Sequence, residues 1–166
     1  DLADEIARHK QARDALQQSE ERYRSIVNAS PDDITITDPD GRVLLVSPAA
    51  LKMFGCERES DLIGRPLTDL LVPEDRPRAL ANMARKRQGR LAGTTEYRAL
   101  RPDGSPFEIE VNSEFMRGAD GSPTGLVVII RDVTERKQAQ LEKEKLEAQN
   151  RQLQKAESLG RMAGAI

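Results

Sequence analysis

The stretch Leu126-Val127-Val128-Ile129-Ile130-Arg131-Asp132-Val133-Thr134-Glu135 changes from an apolar run to a helix start within a few residues. Five consecutive apolar side chains, mostly β-branched, are typical of a central strand that is covered on both faces. Asp132-Val133-Thr134-Glu135 then has the form of a capping box, in which side-chain oxygens satisfy the first free amides of a helix. The stretch predicts a central strand over 124–131 that continues into a long helix from 133. We expect Ile26 and Val27 to cover the second face of this strand.

Four further strands are predicted upstream, over 32–37, 42–46, 93–100 and 107–117. Asp-Gly pairs separate the apolar runs where glycine can adopt the positive φ of a tight turn, at 40–41, 103–104 and 120–121. Between the second and third strands the sequence favours short helices and one longer helix over 73–88, with the apolar stripe Leu80, Met83 and Ala84. The pattern predicts an α+β fold built on a five-stranded sheet.

Both ends of the chain are predicted to be helices with a sparse apolar seam. Before residue 29, apolar residues recur at spacings of three and four among many charges, and after 133 apolar or small residues recur every seven positions, at Ala139, Leu146, Leu153 and Gly160. A seven-residue repeat predicts a parallel coiled coil, so we expect a homodimer. The predicted dimer seam consists of Leu2, Ile6, Leu16, Tyr23, Leu146 and Leu153.

Composition argues against several classes of function. Hydrophobic residues make up 37% and charged residues 33% of the 166 residues, and 26 basic against 28 acidic residues leave a net charge of -2. Without a basic excess, the chain is not expected to bind nucleic acid. The single cysteine, Cys56, excludes an internal disulfide framework and favours a reducing compartment, so we expect a cytoplasmic location. No apolar run reaches the roughly 18 residues of a membrane span, so any membrane anchor is expected upstream of this segment.

Five fragments, in this order and spacing, resemble a PAS domain: Ser19 to Val27, Asp38 to Val43, Phe54 to Gly64, Arg101 to Ser105 and Arg131 to Lys137. The resemblance implies a PAS fold, a five-stranded antiparallel sheet with helices on one face, flanked by N- and C-terminal coiled-coil helices. It implies an N-terminal signalling helix over 1–29, the PAS domain over 30–132 and a coiled-coil linker over 133–156. Because Lys10-Gln11-Ala12 echoes Lys137-Gln138-Ala139, we also expect another domain upstream.

Residues 157–166 resemble the start of the dimerisation and phosphoacceptor helix of a sensor histidine kinase, with the stripe Leu159, Met162 and Ile166. The chain stops before the histidine that such a helix carries, and it has no glycine-rich ATP-binding motif. The resemblance implies a two-component signal-relay segment, not itself an enzyme, whose partners are a kinase core and a response regulator. The alternative is a PAS dimerisation or ligand-binding module that regulates a cyclic-dinucleotide enzyme or a transcription regulator.

Two groups of residues are candidates for function. Asp132, Thr134 and Glu135 lie where the sheet meets the last helix, so we expect them to transfer a signal between the two. A ligand pocket between the sheet and the helices has as candidate lining Ile34, Ile36, Met53, Phe54, Leu67, Leu80, Met83, Tyr97 and Val111. The competing interpretation is that these apolar side chains fill the core completely.

No cofactor is expected, although an unknown small-molecule ligand stays open. Relatives that bind haem use a histidine on the longer helix, whereas the only histidine here, His9, lies near the N-terminus. Relatives that attach flavin use an Asn-Cys-Arg-Phe-Leu-Gln motif, which Cys56 does not belong to. One cysteine and one remote histidine do not make a closed metal site, so no metal is expected.

Overall fold

The structure is a computed structural model that describes residues 1–164. The chain divides into two units, and the first unit, residues 1–132, is built on one antiparallel sheet. The sheet has the strand order β2-β1-β5-β4-β3. Its strands are β1 (Asp33–Thr37), β2 (Val43–Val46), β3 (Thr95–Leu100), β4 (Pro106–Arg117) and β5 (Pro123–Asp132). The predicted five-stranded antiparallel sheet is confirmed, with each strand within two residues of its predicted bounds.

Strand β5 is central, because it pairs with β1 on one side and β4 on the other. On its inner face Leu126, Val128 and Ile130 are buried, as the apolar run predicts. On its outer face Val127 is half-buried and Ile129 is 39% exposed. The predicted cover by Ile26 is wrong, since Ile26 is 62% exposed.

Val27 is buried, and it borders a groove with residues of β2 and the helix that follows β2, not with β5. The first helix, α1 (Leu2–Ala29), therefore ends at the β2 edge of the sheet, while β5 lies two strands further in. This position explains why the outer face of β5 stays partly uncovered within the described residues.

Helices α2 (Pro48–Phe54) and α3 (Arg76–Arg87) lie between β2 and β3 in the chain, together with three short 3₁₀ turns, Glu59–Asp61, Leu67–Leu70 and Pro73–Asp75. They contribute to one apolar cluster with the inner face of the sheet. Phe54 of α2 meets Phe107 of β4 edge to face, with ring centroids 5.5 Å apart. Glycine ends α2 as predicted, since Gly55 has φ +69°, a conformation that costs glycine little.

The second unit begins at Val133 and contains α4 (Thr134–Gly164). Its first helical hydrogen bond runs from the Lys137 amide to the Val133 carbonyl, at 2.9 Å. Val133, and not Asp132, is therefore the cap residue, and the predicted capping box is one residue out of register because β5 continues through Asp132. Ile166, the last member of the predicted stripe, lies outside the described residues. None of the helices within residues 1–164 has a segment apolar and long enough to cross a bilayer.

Candidate functional site

A cavity of about 70 Å³ lies between the inner face of β3, β4 and β5 and the α3 side of the fold. The alternation in β4 turns Ile109, Val111 and Phe115 toward it, and β5 adds Val128. Five of the nine residues predicted for a pocket line this cavity, namely Phe54, Leu67, Met83, Tyr97 and Val111. The sheet and helices therefore enclose free space in addition to a packed core.

Four predicted pocket residues do not line the cavity: Ile34, Ile36, Met53 and Leu80. Ile34 and Ile36 are wrong because β1 turns its polar residues, not its isoleucines, toward the inner face. Met53 packs against the apolar cluster elsewhere. Leu80 is 56% exposed, because α3 faces the sheet with Ala79, Met83 and Lys86, a stripe rotated from the predicted one.

Polar groups occupy one part of the cavity wall. The Asn82 side-chain amide donates to the Tyr97 hydroxyl at 2.9 Å, and the Arg78 guanidinium lies 4.4 Å from the centroid of the Tyr97 ring. Lys86 also lines the cavity and is only 9% exposed. Sequence reasoning missed Lys86, since it stands between Arg85 and Arg87 in a run that reads as a solvated face. Its spacing of seven residues from Ala79 is the one signal that places it on the buried side.

A second polar cluster is buried at the start of β1. The Thr35 hydroxyl donates to the Asp33 carboxylate at 3.0 Å, and the Ser47 hydroxyl lies 3.4 Å from the same carboxylate while accepting from the Ile34 amide at 2.9 Å. Burial raises the pKa of Asp33 from 3.8 to about 7, against the lowering effect of the two hydroxyl hydrogen bonds. Sequence reasoning did not single out this cluster, which gives the core a titratable group near neutral pH.

The C-terminal end of β5 is held by two arginines. Arg101 places its guanidinium 3.7 Å from the Asp132 carboxylate and 4.0 Å from the centroid of the Phe107 ring. Arg131 makes a two-pronged contact with Asp32, at 2.7 Å from Nη2 and 3.1 Å from Nε. The strand end is thus tied to the turn that follows β3, to β4 and to the segment before β1.

The predicted signal-transfer residues fall on either side of this end. Asp132 is the last residue of β5, whereas Thr134 and Glu135 lie in the first turn of α4. Asp132 therefore belongs to the first unit, and Thr134 and Glu135 belong to the second. A transfer of signal between the two units stays a prediction.

The helical surfaces carry the predicted seam residues. Leu2, Ile6, Leu16 and Tyr23 of α1 are all exposed, as are Leu146 and Leu153 of α4. In the described chain α4 has no buried side chain at all. Large apolar side chains on an otherwise highly charged helix are typical of a surface that another helix covers.

The volume and the lining residues of the cavity bear on whether it holds a haem or a flavin. Its volume is far below the roughly 300 to 1,000 Å³ of pockets that hold large organic ligands. Neither His9 nor Cys56 lines it. Burial and the neighbouring Asp61 carboxylate raise the pKa of the Cys56 thiol, which disfavours the reactive thiolate. Within the described residues no three His, Cys, Asp or Glu side chains cluster as metal ligands would.

Known proteins resemble this chain along most of its length. Sensor protein FixL from Bradyrhizobium diazoefficiens is 29% identical over 172 residues, in a match that covers 98% of this chain and 32% of FixL. Sensor histidine kinase TmoS from Ectopseudomonas mendocina is 29% identical over 166 residues, covering 96% of this chain and 17% of TmoS. The chain thus spans a third or less of either relative, and the predicted relation to sensor histidine kinases is confirmed.

Solved structures share the fold. The PAS domain of a protein from Colwellia psychrerythraea gives a TM-score of 0.64 at 24% identity, covering 73% of this chain and 98% of that one. A Light-Oxygen-Voltage domain studied with a flavin analogue gives 0.59 at 23% identity, over 74% of this chain and 93% of that one. At these identities both concern the fold alone. A family model described as PAS fold matches residues 21–133 and so includes all five strands, and the chain therefore belongs to the PAS family.

Proposed function

We propose that this chain is a sensory and signal-relay segment of a sensor histidine kinase and that it works as a parallel homodimer. The observation that carries the proposal is the exposed apolar seam of α4. Leu146 and Leu153 are 60% and 62% exposed, stand seven residues apart and lie on a helix that has no buried side chain among the described residues. In proteins, helices gain most of their stability from packing against other elements. A second copy of the chain is therefore the expected partner of α4.

The kinase output is supported by the relatives. FixL and TmoS are both named as sensors, and TmoS as a sensor histidine kinase. In the proposed function, a kinase core and a response regulator act downstream of α4, and the chain itself catalyses nothing. The lone Cys56 suits the reducing environment of the cytoplasm, where we place this segment.

The route of the signal follows the covalent order of the chain. Strand β5 pairs with β4 along nearly its whole length and with β1 over 126–130. In the proposed route, a change at the cavity passes along β5 to Asp132. After Val133 the chain enters α4, a helix of 31 residues. A coiled coil with two alternative packings can convert a small displacement at its start into a change at its far end.

Sedimentation equilibrium of the purified chain tests the dimer. Leu146→Gln with Leu153→Gln removes the apolar seam while keeping helix propensity, so the dimer dissociation constant is expected to rise at least tenfold. Leu141→Gln is the matched control, because Leu141 is equally exposed at 65% but lies off the seven-residue repeat. A wild-type chain that sediments as a monomer at millimolar concentration would contradict the proposal.

The absorbance spectrum of the purified chain tests the proposed lack of haem and flavin. A protein without either group has no band above 350 nm, since its absorption comes from aromatic side chains alone. A Soret or flavin band in freshly purified protein, lost on denaturation and filtration, would overturn this part of the proposal.

A further inference from the structure

Lys86 gives an otherwise uncharged cavity one cation. Its side chain lines the cavity and is 9% exposed, whereas Arg85 and Arg87 on either side are exposed. No acidic residue is among the residues that line the cavity in the described chain. Residues 1–164 offer the Lys86 ammonium no hydrogen-bond acceptor and no ion pair. Because Lys86 is only 9% exposed, its ammonium is less screened by water and attracts an anion more strongly than an exposed ammonium would.

The helix end does not by itself account for this burial. Cations are favourable in the last turn of a helix, where the carbonyl groups point outward. Arg85 and Arg87 already provide two in the same turn, and Arg87 donates to the Pro39 carbonyl from the surface. Lys86 is the one of the three that is turned inward, and its position in the cavity wall is what sets it apart.

Hydroxyl groups with unused donors line the same cavity. The Tyr97 hydroxyl accepts a hydrogen bond from Asn82, so its own proton is free to be donated. Ser113 of β4 lines the cavity too, and its hydroxyl has no partner among the described residues. One ammonium and two hydroxyl donors beside an apolar wall match a ligand with an anionic, hydrogen-bond-accepting head and an apolar tail.

We propose that this cavity binds a short monocarboxylate whose carboxylate pairs with the Lys86 ammonium. The alkyl part of the ligand contacts the apolar wall formed by Ile109, Phe115 and Val128. The volume of about 70 Å³ is about half that of a cavity known to hold benzene, so the ligand has roughly three to five non-hydrogen atoms. The inference rests on the proposed sensory function, since it names the class of molecule that the segment senses.

Isothermal titration of the purified 166-residue chain with propionate, in a buffer free of carboxylates, tests the proposal directly. Propionamide is the matched probe, because it has nearly the same shape without the charge. We expect propionate to bind at least tenfold more tightly than propionamide. Equal affinities, or no propionate binding at ten millimolar, would overturn the proposal without the use of any variant.

Variants then assign the charge to one residue. Lys86→Met keeps the length and apolar stem of the side chain, and it should weaken propionate binding at least tenfold. Arg85→Met removes a cation from the same helical turn at an exposed position and should change binding less than twofold. Comparable weakening by both variants would mean that a diffuse positive potential, and not Lys86, attracts the anion. If Lys86→Met does not fold, Ser113→Ala in the folded protein should weaken propionate binding, and an unchanged propionate affinity would overturn the proposed hydrogen bond to the ligand.

Sedimentation of the same samples separates this proposal from the proposed relay. A dimer that does not bind propionate would overturn the ligand while leaving the relay intact. A monomer that binds propionate selectively would overturn the dimeric relay and retain the ligand site.

Discussion

The Thr35 hydroxyl donates to the Asp33 carboxylate at 3.0 Å inside the core, where both residues are fully or almost fully buried. Ser47, the residue before α2, lies with its hydroxyl 3.4 Å from the same carboxylate. The same hydroxyl accepts a hydrogen bond from the Ile34 amide and so joins the β1 backbone to the start of that helix. The hydroxyls satisfy the carboxylate without neutralising it. An ionised Asp33 is therefore destabilising, and a protonated Asp33 is not.

Stability is expected to fall as the pH rises from about 4 to about 7 and to level off above that. The pKa of Asp33 is raised from 3.8 to about 7 in the folded chain by burial. Between these values the folded state binds more protons than the unfolded state, so raising the pH favours unfolding. The full effect is at most about 4 kcal/mol, from about 1.4 kcal/mol per pKa unit. Urea unfolding at a series of pH values measures it.

Asp33→Asn should abolish this slope and stabilise the chain at pH 8, because the amide keeps the hydrogen bonds without the charge. Asp120→Asn is the control, since Asp120 is an exposed turn residue whose pKa is lowered by hydrogen bonds from Ser122. It should leave the slope between pH 4 and 7 in place. A wild-type chain equally stable at pH 5 and pH 8 would contradict the role of Asp33.

Gly125→Ala is expected to destabilise the sheet. A methyl group on Gly125 would lie 2.6 Å from the Thr37 carbonyl oxygen and 2.6 Å from the Met116 methyl group. Overpacking of this kind costs about 1 to 3 kcal/mol. Thermal unfolding followed by circular dichroism measures the change.

Met116→Ala in the Gly125→Ala background should restore only part of the loss, because the Thr37 carbonyl belongs to the neighbouring strand and cannot move away freely. Gly160→Ala is the matched control, since nothing lies within 4 Å of the added methyl group and the helix favours alanine. Full recovery by Met116→Ala would show that the backbone contact contributes nothing.

Periodicity predicted the sheet well and the cavity only in part. Strand β4 alternates apolar and polar residues, so the sequence predicted which of its residues face the core. Val111 lines the cavity as expected. Strand β1 alternates just as clearly, but with the opposite outcome. Its buried positions are the polar residues Asp33, Thr35 and Thr37, and the half-buried isoleucines occupy the outer face. A hydrophobic pattern cannot reveal such an inversion, because it does not register the hydrogen bonds that Thr35 and the distant Ser47 make to Asp33.

Lys86 escaped prediction for a related reason. Within a run of basic residues the helical phase decides which one is buried, and α3 is rotated by about one residue from the phase that its leucine suggests.

The position of the junction between β5 and the last helix was predicted, but the contacts that hold the end of β5 were not. Asp132 lies between the sheet and the last helix as expected, but as the last residue of β5 and not as the helix cap. Its ion pair with Arg101 joins residues 31 positions apart, which no local motif indicates.

Arg101→Met is expected to loosen the end of β5. The variant removes the cation that lies over the Phe107 ring and beside the Asp132 carboxylate. Both Arg101 and Asp132 are about one third exposed, so the loss is about 1 kcal/mol. Arg101→Lys keeps the charge without the planar group that stacks on the ring.

A double-mutant cycle with Asp132→Ala separates the two contacts, measured at low salt and at 1 M salt. The Arg101 and Asp132 changes should be coupled at low salt and less so at 1 M, because salt screens a partly exposed pair. If the effects of the two changes on stability are additive at both salt concentrations, the ion pair contributes nothing and only the contact of Arg101 with the ring stabilises the strand end.

Insertions into α4 test whether its helical phase carries the signal. In a fusion of this chain to a kinase core, residues inserted after Gln149 rotate everything that follows by about 100° each, whereas seven residues restore the seam. Autophosphorylation should therefore change most with two inserted residues, which rotate the following helix by about 200°, and return toward the original rate with seven. Alanine-rich insertions keep the helix intact, so length changes while helicity does not. A rate that falls steadily with the number of inserted residues would indicate that α4 acts only as a spacer, because a relay by rotation requires recovery at the full repeat.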